Sequence, residues 1–315
     1  MDIRHLKVFI EVANSGKMST AASKLFISQP TVSQTIRELE EYYNVLLFER
    51  LCKKLHITHE GKLLLSYAKA AVKQFDDLEA KMSTINDVYK IKVGATITVG
   101  SCLISDIVNS IKEKNSNIET YVYVNNTKAI EEKLLNSEID IAIVEGEINN
   151  PNLVSLPEID DYLVLACGLN HKFSSREVVE LPELLDLDFV MREKGSGTRK
   201  LFEDYMYENG FDVKIKWETN CPEAMKNAIL KNGCLGAISI RLIENEIKQN
   251  QIRVFKHIEH VWNRSFSLVY HKDKIIDETM DSVIEVIKAY KNVKVKEDYK
   301  FGKVVNTCLS FNIDE

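Results

Sequence analysis

None of the six cysteines in this 315-residue sequence pairs with another at CxxC spacing. Cys52, Cys102, Cys167, Cys221, Cys234 and Cys308 are scattered, which argues against a disulfide framework or a zinc site. Long apolar runs are also missing: nothing approaches the roughly 18 residues of a membrane span, and the opening MDIRHLKVF carries Asp2 where a signal peptide needs an apolar core. The expectation is a cytoplasmic chain with no membrane segment. An excess of positive charge is lacking as well, with 41 Lys and Arg against 47 Asp and Glu. Residues 1–90 hold 13 basic and 11 acidic residues and the remainder 28 and 36, so any nucleic-acid contact must come from local placement of cations rather than bulk charge. No GxxxxGK[ST] loop, no GxSxG elbow, no nucleophile with a base at useful spacing and no metal-ligand cluster occurs, so neither enzyme activity nor a cofactor or metal is expected. His257-Ile258-Glu259-His260 comes nearest to a metal pair, but in an alternating strand the two histidines fall on opposite faces, and a surface strand end is expected there.

What is present is a concentration of hydroxyls and amides near the start. In residues 18–37, MSTAASKLFISQPTVSQTIR, the small or apolar Ala21, Ala22 and Leu25 recur at helical spacing, while Gln29, Thr31, Ser33, Gln34 and Thr35 have little apolar purpose. One side packs and the other reads something polar, the pattern of a helix-turn-helix whose second helix enters a DNA major groove. Leu6, Phe9, Ile10 and Ala13 predict a preceding amphipathic helix over 3–14, stopped at Ser15-Gly16. Ser28 is a good N-cap for the reading helix, and Pro30 is tolerated in its first turn. Val32, Ile36 and Leu39 form its buried side; Gln29, Thr31, Ser33, Gln34 and Arg37 face outward. After the apolar anchor Leu46-Leu47-Phe48, cationic and apolar residues alternate through Glu49-Arg50 and 53–57 like a short wing that lies along phosphates.

The set Phe9, Ala13, Gly16, Ala21-Ala22, Leu25, Ser28-Gln29-Pro30, Ser33, Leu39-Glu40, Leu47-Phe48, Arg50, Thr58 and Gly61 resembles the winged helix-turn-helix of LysR-type transcriptional regulators. The resemblance implies that Gln29, Pro30 and Thr31 face bases while Ser33 and Arg50 touch backbone. Lys17, Ser28, Gln34, Arg37 and Lys53 complete the expected DNA-contact set. Lys17 departs from the Ser that often opens the second helix in that family, which weakens the cap but leaves a cation able to reach a phosphate.

From Thr58, a plausible cap with Glu60 in the first turn, a helix is expected to run to about residue 86. Leu64, Ala68, Ala71, Phe75, Leu78, Met82 and Ile85 repeat at spacings of four and three, the seam of a coiled coil that pairs with a second copy, the alternative being a stripe that packs on the chain's own C-terminal domain. Two reading helices held this way would address a roughly palindromic operator.

Beyond Lys90 strands and helices alternate. Strands are expected at 91–95, 120–124, 139–144, 162–167, 189–191, 214–217, 236–240 and 266–270, and helices at 103–114, 129–136, 199–209, 223–231, 240–250 and 278–290. That order indicates α/β subdomains with largely parallel sheets, whose ligands bind beyond the carboxyl ends of strands. Three such junctions are rich in donors: Thr96 and Thr98 after the first strand, Asn126-Thr127, and 192–199. The last offers two glycines, the hydroxyls of Ser196 and Thr198, and the cations Arg192, Lys194 and Arg199. Free amides at a helix start with such neighbours form an anion site, so Thr96, Thr98, Asn126, Thr127, Ser196, Gly197, Thr198 and Arg199 are the candidate effector residues.

The LysR resemblance continues through GATITVG, IDIAIVEG, REKGSGTR and KNGCLGAISI. It implies an effector domain similar to periplasmic binding proteins, two lobes with an inducer between them, and tetramers beyond the dimer. The expected organisation is therefore α/β with an all-α-dominated N-terminal domain: a winged helix-turn-helix over 1–58, a linker helix over 59–89 and an effector domain over 90–292. Its lobes are set at 91–161 with 267–292 and at 162–266, and 293–315 is left as an appended tail. Cys221-Pro222 departs from the polar pair often found at that helix start and removes one donor. The expected function is a sequence-specific regulator controlled by a small anionic or carboxylate effector. A redox sensor using Cys221 and Cys234 is the alternative; a cytoplasmic solute-binding protein fits less well, given the attached helix-turn-helix.

Overall fold

The computed structural model describes residues 1–51, 54–83, 89–146, 148–294 and 299–306. These divide into two compact units, Met1–Val88 with Leu135–Glu138, and Tyr89–Leu134 with Ile139–Glu315.

In the first unit α1 (Ile3–Ser15), α2 (Met18–Leu25) and α3 (Gln29–Tyr43) precede a two-stranded antiparallel wing, β1 (Phe48–Leu51) and β2 (Lys54–Ile57), and a long helix α4 (His59–Ser83). Asp2 caps α1 by accepting from the Arg4 and His5 amides. Phe9, Val12, Ala21, Ala22, Val32, Ile36, Leu39 and Leu47 are buried together in one core. Glu40 ties the wing to α3: its Oε1 accepts from the amides of Leu47 at 2.8 Å and Phe48 at 3.2 Å. Thr58 opens α4 by accepting from the Gly61 amide at 2.9 Å.

The expected seam on α4 is split. Ala68 is buried and Leu64 half-buried against the unit's own core, because the helix must first cover α1. Leu78 and Met82 of that seam are exposed, and towards the start of the helix the exposed apolar residues are Leu63 and Tyr67 rather than Leu64 and Ala68. Ile85 lies outside the described residues.

The second unit runs β3 (Tyr89–Thr96), α5 (Ile97–Cys102), α6 (Ile104–Lys114), β4 (Ile118–Asn125), α7 (Thr127–Leu135), β5 (Ile141–Glu145), β6 (Leu153–Gly168), β7 (Val178–Glu180), β8 (Asp188–Arg192) and α8 (Gly197–Glu208). It continues with β9 (Lys214–Thr219), α9 (Pro222–Lys231), β10 (Gly236–Ser239), α10 (Glu244–Lys248), β11 (Ile252–His257), β12 (Asn263–His271), α11 (Glu278–Lys288) and β13 (Gly302–Val305). One sheet has the order β4-β3-β5-β12-β6-β11-β13-β7, with β10 also pairing β6, and β8 pairs β9 separately. The sheet is mixed rather than largely parallel. β3 is parallel to β4 and β5, but β12 runs antiparallel to β5 and β6, and β6 runs antiparallel to β10 and β11.

Strands β6 and β12 join two lobes with separate cores. Ile91, Val93, Ile107, Ile141, Phe266 and Val283 belong to the first. Leu163, Phe189, Phe202, Phe255 and Trp262 pack on one face of the second lobe's sheet, and Val164, Met225, Ile229 and Val254 on the other. The β6–β12 register shifts between Phe266 and Ser267.

Three further expectations are corrected. The helix over 240–250 is broken, a 3-10 turn at Ile240–Leu242 preceding the short α10. The 293–315 segment is not wholly an appended tail: β13 inserts between β11 and β7, parallel to both, with Val304 fully buried; residues 307–315 lie outside the described residues. His257 and His260 do not share a strand. β11 ends at His257, which is buried against Tyr205 and Trp262, while His260 sits in a turn at φ 58°.

Among the described residues, no helix is long and apolar enough to cross a membrane, and no His, Cys, Asp and Glu cluster suits a metal ion.

Candidate functional site

Two sites emerge, one in each unit. In the first, Ser28 caps α3 by accepting from the Thr31 amide at 3.2 Å, and the two hydroxyls share a hydrogen bond of 2.8 Å. With Val32, Ile36 and Leu39 turned into the core, helical geometry points Ser28, Gln29, Pro30, Thr31, Gln34 and Arg37 outward, and all are exposed. Ser33 is half-buried, and the Gln34 amide donates to Glu38 at 2.9 Å. Lys17 stands exposed at the start of α2 with no capping bond from its side chain. The Arg50 side chain and all of Lys53 lie outside the described residues.

The second site is a cavity of about 240 Å³ at the carboxyl ends of β3, β5 and β8, where two lobes meet. Thr96, Asn126, Thr127, Lys128, Glu145, Arg192, Lys194, Ser196 and Gly197 all contribute to its wall. Of the candidates read from the sequence, Thr96, Asn126, Thr127, Ser196 and Gly197 are thus brought together. Part of their hydrogen-bonding capacity is committed: Thr96 Oγ1 accepts from the Glu145 amide at 2.9 Å, and the Thr127 hydroxyl donates to the Glu145 carbonyl at 3.1 Å. Asn126 Oδ1 accepts from the Ala129 amide and so caps α7. Gly195 takes φ 90°, a conformation that glycine adopts freely, and this turn delivers the chain into α8.

Thr98, Thr198 and Arg199 do not line the cavity, a correction to the expected ligand set. Each is sealed by a partner from its own chain. Arg199 donates to Glu203 at 2.8 Å, Glu218 at 2.5 Å and the Arg192 carbonyl at 3.2 Å. Thr98 accepts from Arg192 Nη1 at 3.1 Å. Thr198 turns both its amide and its hydroxyl on Glu145 Oε1, each at 2.6 Å.

Glu145 is the residue the sequence reading missed. Arg264 Nη1 reaches the same Oε1 at 2.9 Å and Thr198 Oγ1 at 3.1 Å, while Arg264 Nε bonds Asp161 at 2.7 Å. Ser239 donates to the other Asp161 oxygen at 2.7 Å. Burial pushes the Glu145 carboxyl up, but Arg264, the Thr198 and Thr98 hydroxyls and Arg192 outweigh it and hold it down at about 2. Burial dominates for Asp161, whose carboxyl is raised despite Arg264 and Ser239. A signal for Glu145 existed: an acid ends the apolar run Ile141-Ala142-Ile143-Val144, at the same kind of strand end that singled out Thr96 and Asn126.

Residues 3–62 match the family described as "Bacterial regulatory helix-turn-helix protein, lysR family", and residues 87–291 match "LysR substrate binding domain". The chain belongs to the LysR family. Like other LysR-family proteins it is a DNA-binding transcriptional regulator with an effector-binding domain. Its relatives include a "Probable RuBisCO transcriptional regulator" of Phaeodactylum tricornutum, 27% identical over 92% of this chain and 97% of that one. The "HTH-type transcriptional regulator CysL" of Bacillus subtilis is 26% identical over 89% and 93%. A full-length OxyR from Pseudomonas aeruginosa, solved as a cysteine-to-aspartate variant, shares the fold of this LysR chain at 18% identity, with a TM-score of 0.68 over 92% and 94%. The CcmR regulatory domain of Synechocystis PCC6803, in complex with 2-PG, shares it at 22% identity and 0.59 over 65% and 98%.

The likeness to OxyR is one of fold. Here Cys221 is exposed at the start of α9 and Cys234 is buried, with its thiol pushed up by that burial, which disfavours the reactive thiolate.

Proposed function

We propose that a small anion or carboxylate enters the cavity between the lobes and changes how the chain binds a roughly palindromic operator in the cytoplasm. The observation that carries this reading is the convergence of Thr96, Asn126-Thr127 and Ser196-Gly197 at strand ends, with Lys128, Lys194 and Arg192 beside them. Backbone amides at the starts of α7 and α8 together with Lys128 and Lys194 favour negative charge, Arg192 being paired with Glu193 of the same wall. The volume is below the ~300–1,000 Å³ usual for drug-sized ligands, which points to an ion or a short organic acid. CcmR holding 2-PG on the same fold agrees with a small ligand.

Two copies joined along the exposed stripe Leu63, Tyr67, Leu78 and Met82 would set the distance between reading helices, with tetramers formed from such dimers. Bases are read by Gln29, Pro30 and Thr31. Lys17, Ser33 and Arg37, with Arg50 and Lys53 of the wing, hold the phosphates.

The test is operator binding by fluorescence anisotropy during titration with organic acids and inorganic anions. A change in affinity or footprint with one of them, lost in Lys194→Ala with Asn126→Ala while basal operator binding stays, is the expected result. A response that survives both substitutions places the effector elsewhere.

A further inference from the structure

The anion slot closest to α8 is already filled by the chain itself. Glu145 sits at the end of β5 in the first lobe, and the Thr198 amide it accepts from opens α8 in the second. The carboxylate receives the donors that would greet a bound anion: a main-chain N–H in the first turn of a twelve-residue helix, a hydroxyl and a guanidinium. Its side chain is only 5% exposed and that of Arg264 11%. Gly197 fits this approach, since a Cβ there would touch the Glu145 side chain at 3.4 Å. Arg264 Nη2 is buried with no partner among the described residues, so the guanidinium has donor capacity beyond what Glu145 and Asp161 use. Arg192 makes a second bridge across the cleft through Thr98.

We propose that Glu145 is a built-in ligand: its carboxylate occupies the α8 anion slot and holds the two lobes together, so that an outside carboxylate or phosphate enters the slot only by displacing it. This rests on reading the cleft as the effector site and sharpens it. An effector that leaves Glu145 in place binds the outer cavity, against Thr96, Asn126, Lys128 and Lys194. One that reaches the inner donors competes with a carboxylate tethered at high effective concentration.

Acetate tests this. The atoms removed in Glu145→Ala, Cγ, Cδ and both Oε, have the make-up of an acetate ion. The full chain and the variant are melted in sodium acetate, sodium chloride of equal ionic strength, and acetamide. Glu145→Ala is expected to melt roughly 5–10 °C lower than the parent, because the α8 amide loses its partner and Arg264 keeps only Asp161 of its two carboxylates. Millimolar acetate, but neither chloride nor acetamide, is expected to recover most of that loss, and acetate is expected to leave the parent unmoved. Acetate acting no better than chloride on a folded variant overturns the proposal, as does an equal acetate response in the parent. Should the variant not fold unaided, the readout is its refolding yield in the same three solutes, and equal yields overturn the proposal.

Operator binding keeps the two readings apart. A parent that responds to an organic acid while acetate fails to rescue the variant removes only the built-in ligand. Acetate rescue in a chain that answers no acid removes only the small-anion effector.

Discussion

Glu145 and Asp161 are two buried carboxylates that share the guanidinium of Arg264. Glu145 is held down at about 2, well below its ordinary value of 4.5, so its contribution to stability is fully present above the ordinary value and lost as pH falls through the folded one. The window is pH 4.5 to 2, and the stabilisation at stake is on the order of 3 kcal/mol. Glu145→Gln should therefore lower stability at pH 7 and flatten the acid limb; chemical denaturation across that range measures both, and an unchanged acid limb would remove Glu145 from the account. Sequence reading singles out these strand-to-helix junctions but not the partners their donors take. Thr96, Asn126 and Ser196 were legible because each stands at a strand-to-helix turn. The pairing of Thr198 with Glu145 was not, because the residues lie 53 apart and only the closing of one lobe on the other brings them together. Arg264, 119 residues from Glu145, was invisible because only the pairing of β12 with β5 brings the two side by side.

Among the elements, the helices of the first unit were legible almost residue by residue, since their periods are local and their caps sit in the same few residues. α4 shows where such reading stops: a repeat of three and four spacings says that a helix has an apolar side without saying what covers it. Because Ala68 packs inward and Leu78 and Met82 do not, Leu78→Glu with Met82→Glu should shift a dimer towards monomer and leave the fold intact. Light scattering with circular dichroism checks this, and an unchanged mass would assign the oligomer to another surface. β13 escaped notice for a different reason. Gly302–Val305 is too short to show alternation, and its partners β11 and β7 lie far back in the chain. Val304→Ala should cost about 2 kcal/mol, seen as a lower urea midpoint for the second unit.

At the scale of the whole molecule, regulation requires that the effector favour one lobe arrangement over another and that this preference reach the operator. The reading helix itself divides into two kinds of contact. Gln29→Ala should relax base preference while keeping the salt dependence of operator binding. Arg37→Ala should weaken all sequences alike and reduce the slope of log affinity against log salt by about 1. Anisotropy titrations at several salt concentrations separate these outcomes, and an unchanged slope in Arg37→Ala would take it off the phosphates. The placement of β13 also carries a consequence in time. In the sheet order β7 joins its neighbours through β13, so a nascent chain can assemble the helix-turn-helix long before the second lobe's sheet is complete. The effector pocket has one wall in that second lobe. The lobe that carries that wall is thus completed later in synthesis than the DNA-reading surface it governs.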